Sequence, residues 1–143
     1  MTKVLATGTF DILHPGHVHY LRESANLGDE LVVIVARESM VNHKNPPVVP
    51  EEQRREMVDA LKPVDRAVLG SEESIFEPLH EIRPDIVTLG HDQHYDEDEL
   101  RDELHERGFD ADVVRVSGRE EDEDEILSTS RILRKVLEER SDA

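Results

Sequence analysis

The 143 residues are enough for one hydrophobic core, and we expect a single domain over residues 1–143. The sequence lacks cysteine, which excludes disulfides and thiolate chemistry. Its 34 acidic and 17 basic residues give a formal net charge of −17, a balance that repels nucleic acid and anionic membranes. The sequence contains neither an apolar run of about 18 residues nor a signal-peptide pattern. We therefore expect a cytoplasmic protein that binds no nucleic acid and no membrane.

The acidic excess has two interpretations. One is a surface that recruits a partner. The other is adaptation to a salty cytoplasm, which fits a chain whose basic residues include only Lys3, Lys44, Lys62 and Lys135 as lysines. At about 1 M salt the Debye length is only about 3 Å, so the repulsion between carboxylates would be screened. We favour adaptation to salt, which predicts that molar KCl improves activity or stability.

Strand-like and helix-like segments alternate along the chain. In order, the patterns predict a strand at 3–7, a helix at 16–26, a strand at 30–36 and a helix at 51–61. They continue with a strand at 66–69, a helix at 74–82 capped by Ser71 or Ser74, and a strand at 85–89. A helix at 97–107, a strand at 112–116 and a helix at 128–140 follow. This alternation predicts an α/β fold, with an open parallel five-stranded sheet and helices on both faces. Ligands of such sheets bind beyond the carboxyl ends of the strands.

The loop after the first strand is rich in residues that suit phosphate binding. Pro15 fits the first turn of a helix, which places His14 near the N-cap and His17 one turn later on the same side. Both imidazoles would then flank a helix start, where amides and the dipole attract anions. Gly16 would allow close approach of a phosphate or ribose. Thr9 would supply a hydroxyl, and Gly8 would bring the turn near the ligand. The alternative is that both histidines only cap the helix.

The last predicted helix begins with three hydroxyl residues. Ser128 fits the N-cap, and Thr129 and Ser130 fall in the first turn. A helix start of this kind suits the β- and γ-phosphates of a triphosphate, although simple capping would need the same residues.

The string GTFDILHPGH resembles the signature of the HxGH nucleotidyltransferases, whose fold is Rossmann-like. The resemblance implies that His14 and His17 are catalytic, contacting the phosphates of a nucleoside triphosphate and stabilising the transition state. It also implies Mg²⁺ or another divalent cation with the triphosphate. The Ser-Thr-Ser run is similar to the second signature of the superfamily. The predicted nucleotide-binding residues are Gly8, Thr9, Phe10, His14, Gly16, His17, Asp92, Ser128, Thr129, Ser130, Arg119 and Arg131.

One position departs from that second signature. Relatives of the cytidylyltransferase type carry an arginine five residues before the first serine, and Glu123 stands there. The arginine that binds the triphosphate would be Arg119, Arg131 or Arg115, of which we favour the first two. The surrounding acidic run is expected to be a solvated loop, with a metal role for Asp122 or Asp124 as the alternative.

Longer stretches, among them VVPEEQRREMVDALKPVD and IRPDIVTLGHDQHYDEDEL, look like the archaeal FAD synthases. This resemblance covers roughly residues 1–137 and implies ATP as donor and FMN as acceptor. The acceptor-binding residues would be Asp11, Lys44, Gln93 and Tyr95, with Asp11 assisting metal or acceptor positioning rather than acting as a base.

Several side chains near these segments have open roles. One of Arg54 and Arg55 is expected to reach the site, while the other faces solvent or pairs with an acid. Among the aromatic residues, Phe10 is favoured over Phe76 for stacking on a flavin, since Phe76 is expected in the core. The pair His91 and His94 is a weak zinc candidate.

Three functions compete at this point. We favour an FMN adenylyltransferase over a cytidylyltransferase that joins CTP to glycerol 3-phosphate, and over a non-catalytic nucleotide- or flavin-binding module. A phosphate monoester is already largely ionised near neutral pH, because its second pKa is about 6, so its attack on a triphosphate needs no general base. Positioning and positive charge would carry the reaction. The resemblance also allows a homodimer.

Overall fold

A computed structural model describes residues 1–41, 46–91, 93, 95–118 and 126–140. Its elements in chain order are β1 (Lys3–Gly8), α1 (Pro15–Ala25), β2 (Glu30–Val35), a short 3₁₀ helix (Glu38–Met40), α2 (Glu51–Asp59), β3 (Arg66–Leu69), α3 (Leu79–Ile82), β4 (Ile86–Leu89), α4 (Glu97–Glu106), β5 (Asp112–Arg115) and α5 (Thr129–Arg140). None of the helices in these ranges is long and apolar enough to cross a bilayer.

The five strands form one parallel sheet in the order β3-β2-β1-β4-β5, which confirms the predicted fold class. Side chains alternate across the sheet, so Val4 and Ala6 point to one face and Leu5 to the other. The first face packs against α1 and α2, represented by Leu21 and Val58. The second packs against α3 and α4 through a separate cluster that includes Leu5, Phe76, Leu79, Ile82, Leu100 and Leu104. Helices therefore cover both faces, and Phe76 lies in the core as predicted.

Strand order reverses between β1 and β4, and the two strands part near their carboxyl ends. Pairing of β1 with β4 runs only to Ala6 and Thr88, whereas pairing with β2 continues to Gly8. On the side of β4, the Thr7 amide donates to Tyr20 Oη at 3.2 Å, and the Thr7 carbonyl accepts from Gln93 Nε2 at 3.2 Å. Side chains thus complete the hydrogen bonds that the strand lacks at the position where parallel sheets bind ligands.

A buried polar network fixes α1 to this part of the sheet. Tyr20 Oη donates to the Thr88 carbonyl at 2.9 Å, and the Ser24 and Thr88 hydroxyls are 2.8 Å apart. Ser24 and Thr88 are fully buried, and burial raises the pKa of Tyr20 above its usual value. Since every member is hydrogen-bonded, the network orients α1 without the penalty of an unpaired buried group.

The largest difference from the sequence prediction concerns α3. A helix was expected over 74–82, but only Leu79–Ile82 is α-helical and turns precede it. Pro78 explains the difference, because it lacks an amide hydrogen and its ring conflicts with the carbonyl four residues earlier. The predicted serine caps are also wrong: Ser71 Oγ accepts from Glu73 N, and Ser74 Oγ accepts from Phe76 N, both within the turns. Other predicted boundaries lie within two residues of the observed ones.

Candidate functional site

The start of α1 is closed by its two histidines. His14 is the N-cap, and its Nδ1 accepts the Gly16 amide at 3.1 Å. His17 Nδ1 accepts the His14 amide at 3.2 Å, which completes a capping box. The ring centroids of the two histidines are 3.8 Å apart, with the planes inclined by 29°. The two side chains therefore act as one unit at the helix N-terminus, on the same side, as predicted.

These hydrogen bonds assign the tautomer of both rings. An Nδ1 that accepts a backbone N–H carries no proton, so the neutral imidazole is protonated at Nε2. Each ring thus places an Nε2–H donor opposite the atom bound to the backbone. The amide that binds Nδ1 also polarises the ring toward its far side. Gly16 is predicted to let a phosphate or ribose approach the backbone, but its amide is bound by His14, so the imidazoles would transmit the positive end of the helix dipole to an anion.

Two glycines in this loop make room for rings. A Cβ on Gly16 would lie 2.8 Å from His14 Cε1, so a side chain there would displace the capping imidazole. A Cβ on Gly8 would lie 2.8 Å from the ring of Phe10. Both glycines are therefore required by neighbouring side chains of the loop itself, in addition to any approach of a ligand.

Phe10 corrects one expectation. Its backbone has a φ of 52°, and the residue is only 3% exposed. The ring packs edge-on against His17 at a centroid distance of 5.4 Å and stacks against Tyr20 at 6.5 Å. A buried ring cannot stack on a flavin, so that prediction is wrong. Phe10 instead supports His17 from the core, and any contribution to nucleotide binding would be indirect.

The start of α5 lies against the same loop. Thr129 Oγ1 donates to the Ile12 carbonyl at 3.1 Å, and a Cβ on Gly16 would lie 3.7 Å from Leu127 Cβ. Ser128 precedes the helix, and its Oγ accepts from the Arg131 amide at 3.4 Å, in agreement with the predicted N-cap. Ser130 and Arg131 are exposed on the first turn. Two helix starts from opposite ends of the chain thus meet beside one loop.

Asp11 and Arg54 fasten the segment before α2 to this loop. Asp11 Oδ1 accepts the Val49 amide at 2.8 Å, and Oδ2 accepts the Val48 amide at 2.9 Å. Arg54 Nε donates to the Val49 carbonyl at 2.8 Å. Both carboxylate oxygens of Asp11 thus have a structural task, and its predicted role toward metal or acceptor would have to use the remaining lone pairs. Arg55 is the arginine that pairs with an acid, Glu52, at 2.7 Å.

The loop after β4 is organised by its own side chains. Gln93 Oε1 accepts the Gly90 amide at 2.7 Å while its Nε2 reaches Thr7, so both polar groups of Gln93 bind backbone. Arg115 donates to the carbonyls of Gly90, Gln93 and Tyr95. Arg115 is therefore engaged in holding this loop, which argues against the suggestion that it binds a triphosphate. The Tyr95 residue is 45% exposed, which leaves its ring accessible for the predicted acceptor contact.

Several predicted positions lie outside the described residues. They are Lys44, Asp92, His94, Arg119, Asp122, Glu123 and Asp124. The ring of His91 lies over Gly118, where a Cβ would be 2.8 Å from it. His91 thus has a packing role, and its zinc role with His94 stays a prediction.

The described residues contain no cluster of three or more His, Asp or Glu side chains able to hold a metal ion. A single carboxylate near the phosphates would be enough for a cation that arrives on a triphosphate. Mg²⁺ commonly keeps several waters and takes its remaining ligands from phosphates and one or two carboxylates. Asp11 is the carboxylate of the phosphate loop itself.

Comparison with known proteins agrees with this geometry. The family model described as "Cytidylyltransferase-like" matches residues 5–135. The chain is 59% identical to an FAD synthase of Natrialba magadii, over 96% of this chain and 93% of that protein. It is 56% identical to an FAD synthase of Ferroglobus placidus, over 96% and 89% of the two chains. The chain belongs to the cytidylyltransferase-like family and, within it, to the FAD synthases.

A solved structure has the same fold. The crystal structure of the Thermoplasma volcanium protein described as a lipopolysaccharide core biosynthesis protein matches with a TM-score of 0.81 and 48% identity. The match covers 84% of this chain and 99% of that one. This member of the FAD synthases is thus an enzyme, a nucleotidyltransferase with the Rossmann-like fold expected from its motifs.

Sequence reasoning missed the structural roles of Tyr20 and Arg54. Tyr20 falls six residues after His14 on the same helix, and a lone hydroxyl at that position carries no local signature. Arg54 lies in a charged run whose pattern is typical of a solvated helix face. The burial of this arginine is explained only by the fold, which brings three loops together around it.

Proposed function

We propose that this protein transfers AMP from ATP to the phosphate of FMN, giving FAD and pyrophosphate. The observation that carries the proposal is the convergence of α1 and α5, through the 3.1 Å bond from Thr129 Oγ1 to the Ile12 carbonyl, on the loop that carries His14 and His17. High identity to FAD synthases over nearly the whole chain supports FMN as the acceptor.

The reaction requires no covalent bond between the protein and its substrates. The FMN phosphate attacks the α-phosphorus in line, a P–O bond forms, and the bond to the pyrophosphate oxygen breaks. The Nε2–H groups of His14 and His17 would donate to the α-phosphate oxygens, whose charge grows in the transition state. Their capped geometry is set before substrate binds, which limits the reorganisation needed at the reacting centre.

The hydroxyls at the start of α5 would hold the β- and γ-phosphates. Ser128 and Ser130, whose Oγ atoms are 2.8 Å apart, would donate to the leaving pyrophosphate together with the first-turn amides. We expect Arg131 or Arg119 to supply the cationic contact. A divalent cation, Mg²⁺ in our proposal, would neutralise the triphosphate, with its oxygens and Asp11 as ligands.

A donor-by-acceptor assay tests the proposal. Four nucleoside triphosphates with Mg²⁺ would be combined with FMN, glycerol 3-phosphate and pantetheine phosphate, in dilute buffer and in molar KCl. We expect FAD from ATP and FMN, detected by chromatography, and higher activity in KCl. Preferential conversion of CTP with glycerol 3-phosphate, or no FAD under either salt condition, would contradict the proposal.

A further inference from the structure

Arg54 is a charged side chain placed where charge is costly. The residue is 1% exposed, although it carries a guanidinium group near the start of α2. Its Nη1 donates to the Thr9 carbonyl at 2.7 Å and to the Ala36 carbonyl at 2.8 Å, and its Nε donates to the Val49 carbonyl at 2.8 Å. These three carbonyls belong to the phosphate loop, the residue after β2, and the segment before α2. One side chain thus joins three separate parts of the chain.

The segment before α2 is held from two directions. Arg54 binds the Val49 carbonyl, while Asp11 binds the amides of Val48 and Val49. Asp11 belongs to the phosphate loop, three residues before His14. This segment is therefore held to the phosphate loop by one carboxylate and one guanidinium, which bind consecutive peptide groups.

The buried guanidinium of Arg54 is only partly hydrogen-bonded. Within the described part of the chain, Arg54 Nη2 is buried without a hydrogen-bond partner. Burial lowers the pKa of Arg54, and the charges of Asp11, Glu51 and Glu38 oppose that shift. An unsatisfied buried donor is destabilising and calls for a cause other than packing. An arginine is nevertheless suited to bridging several acceptors, because its donors form a rigid planar fork.

We propose that Arg54 is a positioning residue for the acceptor substrate, fixing the segment around Val48 and Val49 relative to the phosphate loop so that the acceptor phosphate meets the α-phosphate in line. The inference rests on the proposed function. It separates the two substrates: Arg54 binds the main-chain carbonyl of Thr9 in the phosphate loop but not the residues at the starts of α1 and α5, which would contact ATP, whereas FMN would depend on the segment that Arg54 holds through Val49. A misplacement of about 1 Å in such an alignment costs roughly 100-fold in rate.

The test compares Arg54→Lys with two matched variants. Lysine keeps the charge, but its single nitrogen cannot reproduce the rigid fork by which Nε and Nη1 of Arg54 reach three carbonyls. Arg55→Lys changes the neighbouring arginine, which pairs with Glu52 on the surface. Arg37→Lys changes another arginine that joins loops, through the Gly70 carbonyl at 2.6 Å and the Glu51 carboxylate at 2.7 Å. For each protein, KM for FMN, KM for ATP, kcat and the thermal unfolding midpoint would be measured with Mg²⁺ present.

We expect Arg54→Lys to raise KM for FMN by about tenfold or more and to lower kcat, while KM for ATP changes by less than about threefold. Arg37→Lys should lower the unfolding midpoint without a selective rise in KM for FMN. Arg55→Lys should change neither the unfolding midpoint nor the KM values. Equal rises in both KM values, or the same FMN-selective change in Arg37→Lys, would overturn the inference. Wild-type protein that makes no FAD would instead overturn the proposed function, and this inference with it.

A second measurement avoids dependence on the folding of the variant. Hydrogen exchange of the wild-type peptide that contains Val48 and Val49 would be followed with FMN alone and with Mg-ATP alone. We expect FMN to slow exchange of these amides and ATP to leave it unchanged. Equal protection by ATP, or no protection by FMN, would overturn the inference.

Discussion

The two helix starts that meet at the site are built differently. The start of α1 is continuous with the core, since Leu21 and Ser24 are buried and Tyr20 binds the carbonyl of Thr88 in β4. Within its described residues, α5 contributes no buried side chain, and Val136 and Leu137 are 50% and 67% exposed. Its described bond to the phosphate loop is made by Thr129. Folding of the core therefore positions the imidazoles, whereas local contacts position the hydroxyls.

This difference separates two kinds of functional change. Substitutions behind α1 should alter stability together with turnover, because the same bonds serve both. Substitutions at the start of α5 should alter ATP binding with little effect on stability. The following variants test that division.

The largest effect is expected from His14→Asn. Asparagine is among the best N-cap residues, so it can still accept the Gly16 amide, but it lacks the distal Nε2–H donor. Turnover should fall about 100- to 1,000-fold, equivalent to about 2.7–4 kcal/mol of transition-state stabilisation, with a nearly unchanged unfolding midpoint. Steady-state kinetics would be compared with His105→Ala, an exposed histidine on α4. A fall of less than about tenfold would argue against direct stabilisation of the transition state.

Tyr20→Phe should mainly reduce stability. The substitution leaves the Thr7 amide without its acceptor and removes the bond to the Thr88 carbonyl. The free energy of unfolding should fall by about 1–3 kcal/mol in urea titrations. The exposed Tyr95→Phe serves as the control, with an expected change within about 0.5 kcal/mol. Equal values for the two variants would mean that the buried network does not anchor α1.

Thr129→Val should act on ATP binding. It removes the hydroxyl that binds the Ile12 carbonyl, a loss of about 1 kcal/mol, or roughly a fivefold rise in KM for ATP. Turnover at saturating ATP and the unfolding midpoint should change little, because no residue of α5 is fully buried. Thr129→Ser should keep the wild-type KM. A clear loss of unfolding free energy in Thr129→Val would show that α5 is as much a part of the core as α1.

The smallest effect concerns alkaline pH. Burial raises the pKa of Tyr20 above the ordinary tyrosine value of 10.0, so the folded state keeps a proton that the unfolded state loses. Stability is therefore lost as pH rises above about 10. Wild-type protein should lose more unfolding free energy between neutral pH and this range than Tyr20→Phe, whose other titrating groups are the same. Identical pH profiles of unfolding in the two proteins would contradict this assignment.

Features whose physical cause lies within a few neighbouring residues could be predicted from the sequence. The run LVVIV predicts a buried strand because every side chain is apolar, and the string His-Pro-Gly-His predicts a capped helix start because its causes lie within four residues. Phe10 could not be placed, since its burial depends on a left-handed backbone and on the space above Gly8. Arg54 could not be placed either, because its carbonyl partners come from three segments far apart in sequence. Local chemistry thus predicted the phosphate loop, while side chains that join distant segments required the structure.

The bonds from Asp11 and Arg54 to the segment before α2 all end on main-chain atoms, namely the amides of Val48 and Val49 and the Val49 carbonyl. None of these bonds depends on the identity of the side chains that they hold. The side chains at positions 48 and 49 can therefore be exchanged, proline excepted, without removing these bonds. Substitution at these two positions is a way to vary the surface beside the phosphate loop while its attachment is kept.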